Sequence, residues 1–240
     1  MKPTCSEKAE LRLNRDTPCW TGRYVAVMRH SSPAKRFQSL PSLAPRGLIA
    51  ALLLAAAPLP AAAADPAQEP VAVLDDGLIA IMKAGKAAGT AGRAATIGPI
   101  VDRVFDIPLM TRLAVGPAWN GFSAADQAGL VAAFRRLTVS QYAVNFDGYS
   151  GERFTIAPKV EERGDDRLVR TTLTPAKGDP VAISYRLRQT NGSWKIIDVF
   201  YKNAISQLAT RRSDFAAALA SGGAKGLIAH LDRLAAKPTL

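Results

Sequence analysis

At Phe154 the spacing of apolar residues changes from steps of three and four to steps of two, and after Tyr201 it changes back. Helical side chains return to the same face every 3.6 residues and strand side chains every two, so this switch divides the chain into helices, a sheet, and helices again. Strands grouped between helical segments, rather than alternating with them, predict an α+β domain with an antiparallel sheet.

Val71, Leu74, Leu78, Ile81 and Met82 form one apolar helical face after an Ala/Pro-rich linker over residues 65–70. The Gly/Ala-rich stretch Gly85 to Gly92 is expected to end that helix, and a second, with Pro99 near its first turn, to carry Ile100, Val101, Val104 and Phe105. Phe105-Asp106-Ile107-Pro108-Leu109-Met110 reads as a turn into a short helix that Gly116-Pro117 terminates. Ser123 ahead of Ala124-Ala125-Asp126 is an N-cap with an acid in the first turn, and the helix it opens runs to about Phe146.

Phe154, Ile156 and Val160 mark a first strand, and Leu168 to Leu173 a second. Val181, Ile183, Tyr185 and Leu187, alternating with polar residues, mark a third strand with one apolar face, as in a sheet covered by helices on one side. The fourth, Trp194 to Tyr201, is apolar on both faces, and Thr190-Asn191-Gly192-Ser193 before it is a hairpin turn. The expected sheet is a four-stranded antiparallel meander. Leu208, Phe215, Leu219, Leu227, Ile228, Leu231 and Leu234 follow on two helices separated by Gly222-Gly223.

The first 64 residues read as a leader. A basic, Ser/Pro-rich stretch from Arg29 to Arg46 precedes the apolar Gly47 to Ala57, and Pro58-Leu59-Pro60 leads into an Ala61-Ala62-Ala63-Ala64 cleavage site, the three parts of a secretory signal peptide. The apolar run is shorter than the about 20 residues a membrane-spanning helix needs. Met28 opens a better signal peptide than Met1, so translation from Met28, cleavage after Ala64, a linker over 65–70 and one domain over 71–236 are expected, with export to the periplasm.

This reading changes the charge. The full sequence carries +11, but the leader holds nine of the 31 Lys/Arg and three of the 20 Asp/Glu, leaving 22 basic against 17 acidic residues. No dense basic stripe remains, which argues against nucleic acid as a partner. Both cysteines, Cys5 and Cys19, also fall in the leader, so the mature domain has no disulfide or thiolate metal site.

Catalytic signatures are missing from the mature sequence. Its one histidine, His230, has no metal-motif spacing to another ligand and reads as a surface residue. Asp198, between Ile197 and Val199 in an apolar strand, is either a buried general base or a carboxylate that pairs with Arg211 or Arg212 or caps a backbone N–H; the second reading is adopted. No cofactor is expected. A sheet with one apolar face under helices closes into a dry core or leaves a slot for an apolar cargo. The wall residues expected for such a slot are Leu109, Met110, Leu113, Phe134 and Tyr142 from the helices and Ile183, Tyr185, Ile197, Val199 and Tyr201 from the sheet.

The Phe105 to Met110 run, Trp119 and the Phe134 to Tyr142 helix, followed by Trp194-Lys195-Ile196-Ile197-Asp198-Val199 and Arg212-Ser213-Asp214-Phe215, resemble in order the MlaC-type toluene-tolerance family. Ile205 to Ser213 is similar to the hopanoid-associated HpnM branch, although Asn203-Ala204 stands where that branch has a Gly; Asn also tolerates positive φ. The resemblance implies a cone like that of the nuclear transport factors, with acyl chains between sheet and helices. It further implies a monomeric periplasmic carrier of phospholipid or hopanoid, without catalysis, that exchanges cargo with an inner-membrane ABC transporter or permease and an outer-membrane complex. The alternative is an accessory scaffold of a membrane lipid complex.

Overall fold

The computed structural model describes residues 64–236. The expected signal peptide, the Met28 start and both cysteines lie outside the described residues. Four helices, α1 (Gln68–Ala84), α2 (Gly89–Val104), α3 (Ile107–Val115) and α4 (Ala124–Asn145), precede the sheet. Six strands follow, β1 (Arg153–Ile156), β2 (Glu161–Arg163), β3 (Asp166–Thr174), β4 (Val181–Thr190), β5 (Ser193–Tyr201) and β6 (Ile205–Ser206), and α5 (Gln207–Ala236) closes the domain. The fold is α+β, as the change of period predicts.

Helix α1 buries the expected stripe but starts at Gln68, inside the stretch expected to be a linker. Pro70 is compatible with a first turn because N–H groups there have no helical acceptor. Ala67 is buried, and Gln68 Nε2 donates to the carbonyl of Ala157 at 2.9 Å, so this segment is packed. Gly85, at φ 60°, ends α1 as expected.

Helix α2 departs further from expectation, since it begins at Gly89 and carries Pro99 inside. Tertiary contacts override the breaker signal. The buried Arg93 donates to the carbonyls of Ala143 (2.6 Å) and Gly85 (2.7 Å), tying α2 to α4 and to the end of α1. At Gly77 of α1 a Cβ would fall 2.5 Å from Ile100 Cδ1, so the close approach of the first two helices leaves room for a side chain there only if Ile100 shifts.

The sheet runs β1-β3-β4-β5-β6, antiparallel throughout, with β2 also on β3. The expected first strand is therefore two pieces on the same neighbour, and Val160 belongs to neither. Pro158 lies in the gap and has no N–H for a ladder. Between β4 and β5 the register pairs Leu187 with Ile196 but Arg186 with Asp198, so Ile197 is the extra residue of a bulge.

Asp106 joins the layers. Its Oδ1 accepts the Leu109 N–H at 2.9 Å, capping α3, while Oδ2 accepts the Thr190 hydroxyl at 2.9 Å and its own N–H donates to Ile196 O at 3.0 Å. Ser123 caps α4 through the Asp126 N–H, as expected. After β5, Lys202 and Asn203 adopt φ of 52° and 57°, so the turn survives without glycine. Gly223, at φ 56°, kinks α5 where two helices were expected.

Candidate functional site: the interior between sheet and helices

Seven of the ten expected wall residues meet in one cluster. The register sets Ile183 opposite Tyr201 and Tyr185 opposite Val199, and these four are buried with Met110, Phe134 and Tyr142. Aromatic rings line the helical side: Phe105, Tyr142 and Phe146 follow one another at 6.0 Å centroid spacing, and Phe134 meets Phe215 edge to face at 6.2 Å. Such tilted and edge contacts add to the area these rings bury.

Three wall expectations need correction. Ile197, the bulge residue, is buried but lies outside that cluster. The inner face of α3 carries Ile107, Met110, Thr111 and Ala114, which turns Leu109 to a half-buried position and leaves Leu113 38% exposed. The helix starts at Ile107 behind the Asp106 cap, and its phase is what the spacing of so short a helix leaves open.

Asp198 is a structural cap. Its Oδ1 accepts the N–H groups of Val199 (2.8 Å) and Leu208 (3.0 Å), and Oδ2 accepts the Ser206 hydroxyl at 2.5 Å. Leu208 is the second residue of α5, where free N–H groups and the helix dipole favour an acid. Burial raises the Asp198 pKa, and the bonds from Ser206, Leu208 and Val199 only partly offset it. The adopted reading therefore holds in its capping form, with no ion pair to either suggested arginine: Arg212 packs on Gly116, and Arg211 bonds Gln141 of α4 and meets Asp198 only through space.

Arg211 is the polar residue that pattern reading missed in this interior. Its Nη2 donates to Gln141 Oε1 at 2.6 Å, and its guanidinium lies 4.9 Å from the centre of the Phe134 ring. Burial pulls its pKa down to about 10, against the pull of Tyr142, Asp214 and Asp198. Burial also pushes the Tyr142 phenol up. An apolar interior with a guanidinium against one of its rings could hold hydrocarbon if it opened, and would offer charge to an anion.

Other polar groups lie away from this interior. Asp166, 1% exposed, is held by Arg186 and by Arg188 Nε at 2.6 Å; burial raises its pKa, but the two arginines leave it below the usual carboxylate range. His230 is half-buried on α5. Among the described residues no group of three or more His, Cys, Asp or Glu is placed to hold a metal, and no helix is long and apolar enough to cross a membrane.

No curated protein matches the chain. A phospholipid-binding protein from Ralstonia solanacearum, solved in complex with a phospholipid, is similar with a TM-score of 0.60 and 24% sequence identity, covering 72% of this chain and 98% of that one. That likeness shows a shared fold. The family model described as MlaC protein matches residues 73–233, two thirds of the chain and nearly all of the described domain, so this chain belongs to the MlaC family.

Proposed function

We propose that this protein is an exported lipid carrier that holds hydrocarbon tails between its sheet and its helices and catalyses no reaction. The observation that carries this reading is the convergence of Met110, Phe134, Tyr142, Ile183, Tyr185, Val199 and Tyr201 on one apolar interior. Family membership and the phospholipid held by the Ralstonia protein support it. Each tail CH₂ moved from water into such an interior gains ~0.8 kcal/mol, whereas a headgroup swallowed with it would lose its water, so the tails enter and the head stays near the mouth. Because these side chains pack against one another, loading requires the helices to move off the sheet as tail contacts replace side-chain contacts.

Within this reading the domain over 71–236 is released into the periplasm by cleavage after Ala64. It works as the monomeric soluble component of an ABC-type lipid transport system between an inner-membrane transporter and an outer-membrane complex. Phospholipid or hopanoid is the cargo, the latter on the likeness of Ile205 to Ser213 to the HpnM branch. Incubation with labelled vesicles and separation by flotation tests the carrier directly: lipid recovered with the soluble protein supports it, and protein that takes none contradicts it. A second reading, an accessory scaffold without cargo, is favoured by the closeness of the interior, in which Phe134 is 0% and Ile183 2% exposed.

A further inference from the structure

A pocket of about 360 Å³ lies between α1 and β1, outside the interior described above. Asp75 and Asp76 line it from the helix, Tyr149 and Glu152 from the connection after α4, and Arg153 and Phe154 from β1; none of the ten expected wall residues borders it. Asp75 sits on the core-facing stripe of α1, one residue after Leu74 and three before Leu78, and is 5% exposed. Neither of its carboxyl oxygens has a hydrogen-bond partner, and both are closed to solvent, so a ligand in the pocket meets them only when the Asp75 side chain turns toward it.

A buried carboxyl with both oxygens unmet by protein groups is rare in folded proteins and calls for a partner, whether water, an ion or a ligand. Burial first, and then Asp76, push its pKa up to about 8, with no contribution from Arg153 or Lys83. The groups facing it are Asp76 from its own helix, Tyr142 from α4, Tyr149 and Glu152 from the connection, and Arg153 from β1. Once Asp75 ionises, three carboxyls stand against Arg153 and the rim Lys83, an excess of one negative charge that favours a cation over an anion. Tyr149 already attracts an ammonium at the rim, since Lys83 Nζ lies 5.2 Å from its ring centre.

We propose that this pocket binds a primary ammonium group, from a lipid headgroup or a free small amine, with Asp75 accepting its N–H donors and the Tyr149 and Phe154 rings flanking it. Asp75 is protonated in the empty pocket near neutral pH and gives its proton to solvent when the ammonium enters. The site stands on its own geometry and does not require the carrier reading.

Calorimetric titration of ethanolamine into the purified protein at pH 7, in two buffers of different ionisation enthalpy, tests it. The expected result is saturable binding with proton release, weakened about tenfold or more and stripped of that release by Asp75→Asn, a near-isostere whose folding is checked by melting. Should that variant fail to fold, Tyr149→Ala is expected to weaken binding instead. Competition between vesicles of ethanolamine-headed and glycerol-headed phospholipid then separates the sources. A preference for the ethanolamine lipid that depends on Asp75 assigns the site to a headgroup; ethanolamine binding without that preference assigns it to a free amine. Absence of both, or binding that survives these substitutions unchanged, overturns the proposal even if lipid is taken up. Ethanolamine binding with no lipid uptake from either vesicle keeps the pocket and removes the carrier.

Discussion

Replacing Asp75 by Asn should stabilise the unliganded domain, and by more as pH rises. The carboxyl is 5% exposed and its pKa is pushed from 3.8 to about 8, chiefly by burial and then by Asp76. The folded state therefore holds its proton more tightly than the unfolded chain, and stability falls with rising pH wherever the folded state binds more protons. The contribution is intact below the unfolded value, declines from about pH 4, and is fully lost once pH passes about 8. At ~1.4 kcal/mol per pH unit, the gap between wild type and Asp75→Asn should widen by roughly 3–5 kcal/mol between pH 5 and pH 9, a large share of the ~5–15 kcal/mol that holds a domain together. Urea unfolding of both proteins at pH 5, 7 and 9 measures this as a double difference, in which every other titrating group cancels. Parallel stability profiles would refute the reasoning, because they would mean that Asp75 ionises in the folded protein as easily as in the unfolded chain.

Asp198→Ala should cost ~1–3 kcal/mol in urea unfolding by leaving the Leu208 N–H and the Ser206 hydroxyl without their acceptor, and should leave lipid uptake from vesicles intact; lost uptake at unchanged stability would return Asp198 to a functional role. Asp166→Asn weakens the pairing with Arg186 and Arg188, and with both arginines partly exposed the loss at pH 7 should be ~1–3 kcal/mol. Since the folded pKa of Asp166 lies below 3.8, the wild-type advantage is present above that pH and vanishes as pH falls through the folded value, so circular dichroism should find the two proteins converging in acid. Ile183→Ala should cost ~2–5 kcal/mol in the lipid-free protein if the interior is packed as seen, and less once bound hydrocarbon fills the gap, a contrast that melting with and without lipid measures.

Much of the fold was legible because apolar period and cap chemistry are local. The stripe from Val71 to Met82, the Ser123 cap, the alternation of β4 and the Gly223 break all follow from a few neighbouring residues. Asn203 keeps its turn for the same local reason. The start of α2 failed because it depends on partners distant in sequence. Pro99 and the glycines around it signal a helix boundary, yet Arg93 holds α2 together through carbonyls of α4 and of the end of α1. The sheet edge broke at Pro158 because a residue without an N–H cannot continue the ladder, a signal present in the sequence but outweighed by the alternation of Phe154, Ile156 and Val160.

At the candidate site the burial of Ile183 and Tyr185 was legible, since β4 alternates cleanly, whereas the β5 bulge hid the place of Ile197, and Leu109 and Leu113 were missed because a helix as short as α3 carries too few turns to fix its phase. Asp75 could have been found. Its place between Leu74 and Leu78 turns it inward with them, and a carboxylate on an apolar stripe is the kind of inconsistency that marks a site. Arg211 could not, because only the folded chain brings it to Gln141 and Phe134.

The central claim is that this protein carries a lipid, and mass spectrometry of organic extracts tests it most directly, using protein purified from its native periplasm without detergent. The account predicts phospholipid or hopanoid at close to one molecule per protein, released only on extraction with solvent. A stable monomer whose extract contains no lipid would contradict it and favour the scaffold.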